Sequence, residues 1–131
     1  MKAFLFLFAA CIFFSCSSAG GKPTKADVEK ALRARWDKPA TSMEPKQSIT
    51  IESIKIGSGA IANDQDLIDG IPPKAMVTIV QIEFTVRQYY NDQTMVTKRV
   101  MLAKVYKDQF GEWEVMNSGM KTQDTKYEPK G

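Results

Sequence analysis

Histidine is absent from the 131 residues, and cysteine occurs twice, at Cys11 and Cys16. Without imidazole the chain has no Ser-His-Asp or Cys-His nucleophilic system, no His-ligated zinc and no side chain that ordinarily titrates near neutral pH. Both thiols lie before residue 17, so whatever folds after them has neither a thiol nucleophile nor a disulfide. Its cohesion must come from a core and a sheet. An excess of one charge is also missing. The 18 basic and 15 acidic side chains leave +3 and interleave along the chain. A nucleic-acid binder gathers its bases into a stripe or patch, so nucleic acid is excluded as an expected partner.

What the chain does have begins with an apolar run. Residues 1–14 read MKAFLFLFAACIFF, a basic Lys2 followed by twelve apolar residues. A bilayer-spanning helix needs ~20 residues, so the run fits the apolar region of a signal peptide, and residues 1–15 read as a leader. The string Phe13-Phe14-Ser15-Cys16 resembles the lipobox of bacterial lipoproteins. It has a small residue before the cysteine and Phe where that family usually has Leu. The resemblance implies that Cys16 carries the lipid, its thiol becoming a diacylglyceryl thioether, and that the chain meets the membrane through this anchor. Ser17 stands where Asp would signal retention at the inner membrane, so the resemblance implies the outer membrane, facing the periplasm. Two alternatives stay open. Phe8-Ala9-Ala10-Cys11 is a second such string, and Ser17-Ser18-Ala19 offers ordinary cleavage before Gly20, giving a soluble periplasmic or secreted form. Residues 16–23 are small and flexible, as a tether requires.

Residues 24–120 read as one domain. Thr24 is a good N-cap with Asp27 three residues on. Val28, Ala31, Leu32, Arg35 and Trp36 then follow at helical spacing, Glu29 and Arg33 form an i,i+4 pair, and Lys38-Pro39 ends the element. Residues 39–47 are a linker. Residues 48–56 predict a strand in which Ile49 and Ile51 share one parity and Ile54 and Ile56 the other. That phase change implies a β-bulge near Glu52-Ser53, or a strand buried on both faces at one end.

Residues 57–73 read as loop. Its acids Asp64, Asp66 and Asp69 miss the calcium-loop spacing, since position five from Asp64 is Ile68 and position six is Asp69. A solvated acidic loop is expected, with no metal and no cofactor. Gly57-Ser58-Gly59 lacks the further glycine and lysine of a phosphate-binding loop. Residues 75–90 predict a long strand, with Met76, Val80, Ile82, Phe84 and Val86 on one face and Gln81, Glu83, Thr85, Arg87 and Tyr89 on the other. After a turn at 91–93, residues 95–106 predict its hairpin partner. A three-residue loop pairs Phe84 with Val100 and Ile82 with Leu102, while a two- or four-residue loop flips that pairing, and the register stays open. Residues 107–111 predict a turn with Gly111 at positive φ, residues 112–116 a last strand bearing Trp113 and Val115, and residues 121–131 a polar tail.

The expected fold class is therefore α+β, with one N-terminal helix packed on a four-stranded antiparallel β-meander. This layout over residues 24–120, with the closing DQFGEWEV of residues 108–115, resembles the cystatin-like and NTF2-like folds. Inhibitory cystatins carry a Gln-x-Val-x-Gly hairpin. The nearest string here, Gln93-Thr94-Met95-Val96, has neither that spacing nor the glycine, so protease inhibition is not implied.

Acid–base chemistry would fall to carboxylates, Lys or Tyr. Glu83 and Arg87 share a strand face, but no two carboxylates are placed as an acid and a base, so no catalysis is expected. Tyr and Arg are enriched at interfaces, which makes Glu83, Arg87, Tyr89 and Tyr90 the candidate interaction surface. Val77 and Ile79 on the same face, with Met101 and Val105, would add a partner surface or the floor of a small apolar pocket. The expected function is a noncatalytic cell-envelope lipoprotein that binds a protein or another envelope component. Two alternatives are a small-ligand domain with an apolar pocket between helix and sheet, and a carboxylate-dependent enzyme.

Overall fold

In a computed structural model the described residues are 21–129. The leader, Cys11, Cys16 and the first part of the tether lie outside them. The elements are α1 (Lys25–Trp36), β1 (Lys46–Ile61), α2 (Asp64–Ile68), β2 (Met76–Tyr89), β3 (Gln93–Lys107) and β4 (Trp113–Pro129). The strands form one antiparallel sheet in the order β1-β2-β3-β4, giving an α+β architecture.

Helix α1 starts where its capping residues dictate. Thr24 Oγ1 accepts the Asp27 N–H at 3.2 Å, and Asp27 Oδ2 accepts the Thr24 N–H at 2.9 Å. Two N–H groups that the first turn would leave unpaired are thereby satisfied. The apolar stripe faces the sheet, with Val28 and Leu32 fully buried and Ala31 and Trp36 packed at its margin. The Trp36 ring meets Phe84 edge-on, with centroids 5.2 Å apart. The end of the helix is stitched to the start of β1. Arg33 Nη1 donates to the Ile49 carbonyl at 2.9 Å, the Ile49 N–H donates to Asp37 Oδ1 at 2.9 Å, and Gln47 Nε2 donates to the Trp36 carbonyl at 2.7 Å.

The backbone of α1 runs closest to the two outer strands, β1 and β4. The sheet therefore curls around the helix, and long side chains from the middle strands fill the space between. Phe84, Ile82, Met101, Val80 and Val105 are all at most 1% exposed there.

Strand β1 carries the bulge that its sequence implies. Ile51 pairs with Phe84 and Ser53 with Glu83, leaving Glu52 as the extra residue. The insertion shifts the alternation by one. Ile49, Ile51, Ile54 and Ile56 thus lie opposite Val86, Phe84, Ile82 and Val80, all on the helix side. A bulge satisfies both halves of an out-of-phase apolar pattern with one buried face.

Four expectations are corrected. First, Met101 and Val105 do not share the face of Val77 and Ile79, because the register that the sequence left open is set by a two-residue β2–β3 loop, Asn91 and Asp92, with the Gln93 carbonyl accepting the Tyr90 N–H at 2.9 Å. Phe84 therefore pairs with Arg99 and Ile82 with Met101. Met101 and Val105 lie on the helix side, and Val100 and Leu102 take their expected place on the opposite face, Leu102 being 45% exposed. Second, residues 57–73 are not all loop. Strand β1 continues to Ile61 past a second register shift, and α2 follows. Gly57 permits the shift, since a Cβ there would sit 2.8 Å from the Ile79 carbonyl oxygen. Third, Asp66 of the acidic loop is buried rather than solvated. Fourth, the last strand does not stop at residue 116, nor is residue 121 the start of a tail. Strand β4 runs to Pro129, paired with β3 down to Gln93. Residues 121–129 are exposed on both faces, so backbone pairing holds them where an apolar pattern would normally announce a strand.

Candidate functional site

The period-two alternation of β2 places Glu83, Arg87 and Tyr89 on the sheet face turned away from α1. There they join a ladder of side-chain hydrogen bonds to β1. The hydroxyls of Tyr89 and Ser48 lie 3.1 Å apart, Arg87 Nη1 donates to Thr50 Oγ1 at 3.2 Å, Thr85 Oγ1 donates to Glu52 Oε1, and Ser53 Oγ donates to Glu83 Oε2 at 3.1 Å. The bulge residue Glu52 thus has a second use as the acceptor for the buried Thr85 hydroxyl.

The ladder separates the expected residues into two groups. Glu83 and Arg87 stand four residues apart on one strand, a span of ~13 Å, with the Thr85–Glu52 bond between them. They form no ion pair and no acid–base couple. Tyr89 and Tyr90, by contrast, come together at the sheet end. With Asn91, Lys46 and the segment 40–45 they line a cleft of about 510 Å³. The Lys46 ammonium lies 5.6 Å from the centre of the Tyr89 ring. The far wall is a fixed turn, since Thr41 Oγ1 accepts the N–H groups of Met43 and Glu44, and the Thr41 N–H donates back to Glu44 O at 2.9 Å. Met43 projects from that wall at 90% exposure. The residues that line this opening carry two phenols, the Asn91 amide, the Lys46 ammonium, the Glu44 carboxylate, the Thr41 and Ser42 hydroxyls and the Met43 thioether.

Sequence reasoning missed an ion pair on the same face. Lys104 Nζ lies 2.6 Å from Asp66 Oδ1. Asp66 is also the reciprocal cap of α2, accepting the Asn63 N–H at 3.0 Å while its own N–H donates to Asn63 Oδ1 at 2.8 Å. The Lys104 hydrogen bond, then that of the Asn63 backbone, holds the Asp66 carboxyl below its ordinary range despite burial. The Asp66 carboxylate in turn raises Lys104. This pair pins α2 and its flanking segment over one end of the sheet, where Ile71 and Val77 are buried. The signal available in sequence was Asn63-x-x-Asp66, a capping box hidden in a run that reads as acidic loop. Among the described residues no group of three or more His, Cys, Asp or Glu side chains could hold a metal ion, and no helix is long and apolar enough to cross a membrane.

No family model matches the chain, and neither the curated proteins nor the solved structures include a significant match to it.

Proposed function

We propose that this chain is an exported, lipid-anchored module of the cell envelope whose folded part binds a protein or another envelope component and does no chemistry. Anchoring rests on the lipobox-like Phe13-Phe14-Ser15-Cys16 and the small residues after it. Outer-membrane placement facing the periplasm rests on Ser17. The binding role rests on one observation above the rest: Tyr89 and Tyr90 meet the turn at 40–45 in an open cleft, and Arg87 stands beside them on an ordered polar face. In layout the helix gripped by a curled antiparallel sheet resembles the cystatin-like arrangement, and that kinship belongs to the same proposal. The alternative of a ligand pocket between helix and sheet finds no space beneath the middle of α1, where Leu32, Phe84 and Met101 fill it, although a concavity of about 530 Å³ opens beside the helix toward Trp113.

Replacing Cys16 by Ser tests the anchor. The variant should lose incorporation of labelled palmitate and accumulate either as the unprocessed precursor or as a soluble form. Palmitate incorporation that persists in it would move the anchor to Cys11, and absence of label from the unaltered protein would favour cleavage before Gly20.

A further inference from the structure

The two ends of the sheet differ in what they are tied to. Strand pairing carries Gly59, Thr78, Val105 and Val115 across one end, and Lys46, Tyr89, Thr94 and Glu128 across the other. The second end holds the Tyr89–Tyr90 cleft. The first end is where the chain enters. Helix α1 finishes beside Gln47 and Ile49, toward the cleft, so its N-terminus lies at the opposite end. Just before that N-terminus Pro23 is buried, and the Lys22 ammonium donates to the Gly57 carbonyl at 3.3 Å. Cys16 stands six residues before Lys22, a stretch that spans at most ~20 Å. A lipid on Cys16 therefore keeps this end of the sheet within that distance of the bilayer.

The same end exposes apolar side chains where connections ordinarily carry polar ones. In the β1–β2 connection, α2 presents Leu67 at 42% and Ile68 at 77% exposure, and Phe110 in the β3–β4 turn is 79% exposed. Neither connection is loose. Asp66 of α2 is held by Lys104 at 2.6 Å, and Asp108 Oδ1 accepts the N–H groups of Phe110 and Glu112 at 2.8 and 3.0 Å. Charges here are mixed in sign, with Asp64, Asp69 and Asp108 set against Lys22, Lys25 and Lys74. Attraction to anionic lipid is thus not the force on offer, whereas burial of apolar side chains in the interface is.

We propose that this end of the sheet rests on the membrane, with Leu67, Ile68 and Phe110 entering the bilayer interface. The contact rests on the lipid anchor at Cys16 and adds to it an orientation, which a tether alone does not supply. It holds the Tyr89–Tyr90 cleft away from the bilayer by about the length of β2, 14 residues or ~45 Å. Lipid meets one end, and recognition is left to the other.

The chain purified from membranes and reconstituted in vesicles of phosphatidylethanolamine and phosphatidylglycerol tests this, with an environment-sensitive fluorophore placed in turn at Ile68, Phe110 and Tyr90. Emission at 68 and 110 should shift to the blue and be quenched by nitroxides on the acyl chains, and emission at 90 should show neither effect. In a variant carrying Leu67→Ser and Ile68→Ser, quenching at 110 should fall while acylation, read by mass, is unchanged. An acylated chain whose probes at 68 and 110 stay aqueous would overturn the membrane contact and leave the anchor standing. Equal quenching at all three positions would overturn the orientation. A blue shift at 68 that lipid nitroxides do not quench would assign this end to a second copy of the chain and overturn the proposal. An unacylated mass would overturn the anchor itself, and this contact with it.

Discussion

The two faces of the sheet are ordered by different physics. Under α1, burial does the work: Val80, Ile82, Phe84, Met101 and Val105 interlock with Val28 and Leu32, and the bulge at Glu52 turns four isoleucines to that side. On the opposite face, order comes from directional bonds: the ladder from Tyr89 to Glu83 and the Lys104–Asp66 pair. An apolar face is tolerant of detail and strong in sum, whereas each polar rung contributes little net energy because water offers a competing partner. The comparison shows how a fold with no cysteine after residue 16 can rest on one buried face and leave much of the other to polar side chains. The stability resides on the buried side.

The largest effect should follow from breaking the helix side. Phe84→Ala removes a ring at 1% exposure that also meets Trp36, and denaturant unfolding should show a loss of about 3–5 kcal/mol. A loss under about 1 kcal/mol would mean the helix face carries less than this comparison requires.

A smaller, local effect is expected at the ion pair. The depressed Asp66 carboxyl contributes stability that is present above its ordinary value of 3.8 and lost as pH falls through its lowered value. The raised Lys104 contributes below its ordinary 10.5, and that contribution is lost as pH rises through its elevated value. Between these limits the pair stays closed. In Lys104→Met, amide exchange in residues 62–75 should quicken at neutral pH while the sheet centre stays protected. Unchanged exchange in that segment would show that the pair does not hold it.

The smallest effect belongs to the ladder. Glu83→Gln keeps an acceptor for the Ser53 hydroxyl, so the unfolding free energy should move by no more than about 0.5 kcal/mol. A loss well above that would identify Glu83 as structural and remove it from the recognition surface.

The same contrast explains what was legible in the sequence. Elements with one buried face were readable: α1 from its stripe and cap, β2 from its alternation, and the bulge from the phase of four isoleucines. Elements without a buried face were not. The end of β1 is Gly, Ser and Ala, and the far half of β4 alternates polar with polar, so neither leaves a periodic trace. The β2–β3 register was open because one residue of loop length decides it, and both parities offered apolar partners. Of the site, Tyr89, Tyr90 and Arg87 could be found from residue type, but the turn at 40–45 that completes their cleft could not. Contacts across such sequence distances are set by the sheet as a whole.

Crosslinking in living cells tests the central claim most directly, because it asks whether the cleft at Tyr89 and Tyr90 is the surface that is used. A photoreactive side chain placed at Tyr90 should yield a discrete adduct in the envelope, and the same group at Ile68, which is 77% exposed but outside the cleft, should not. Equal adducts at both positions, or none at Tyr90, would contradict the account.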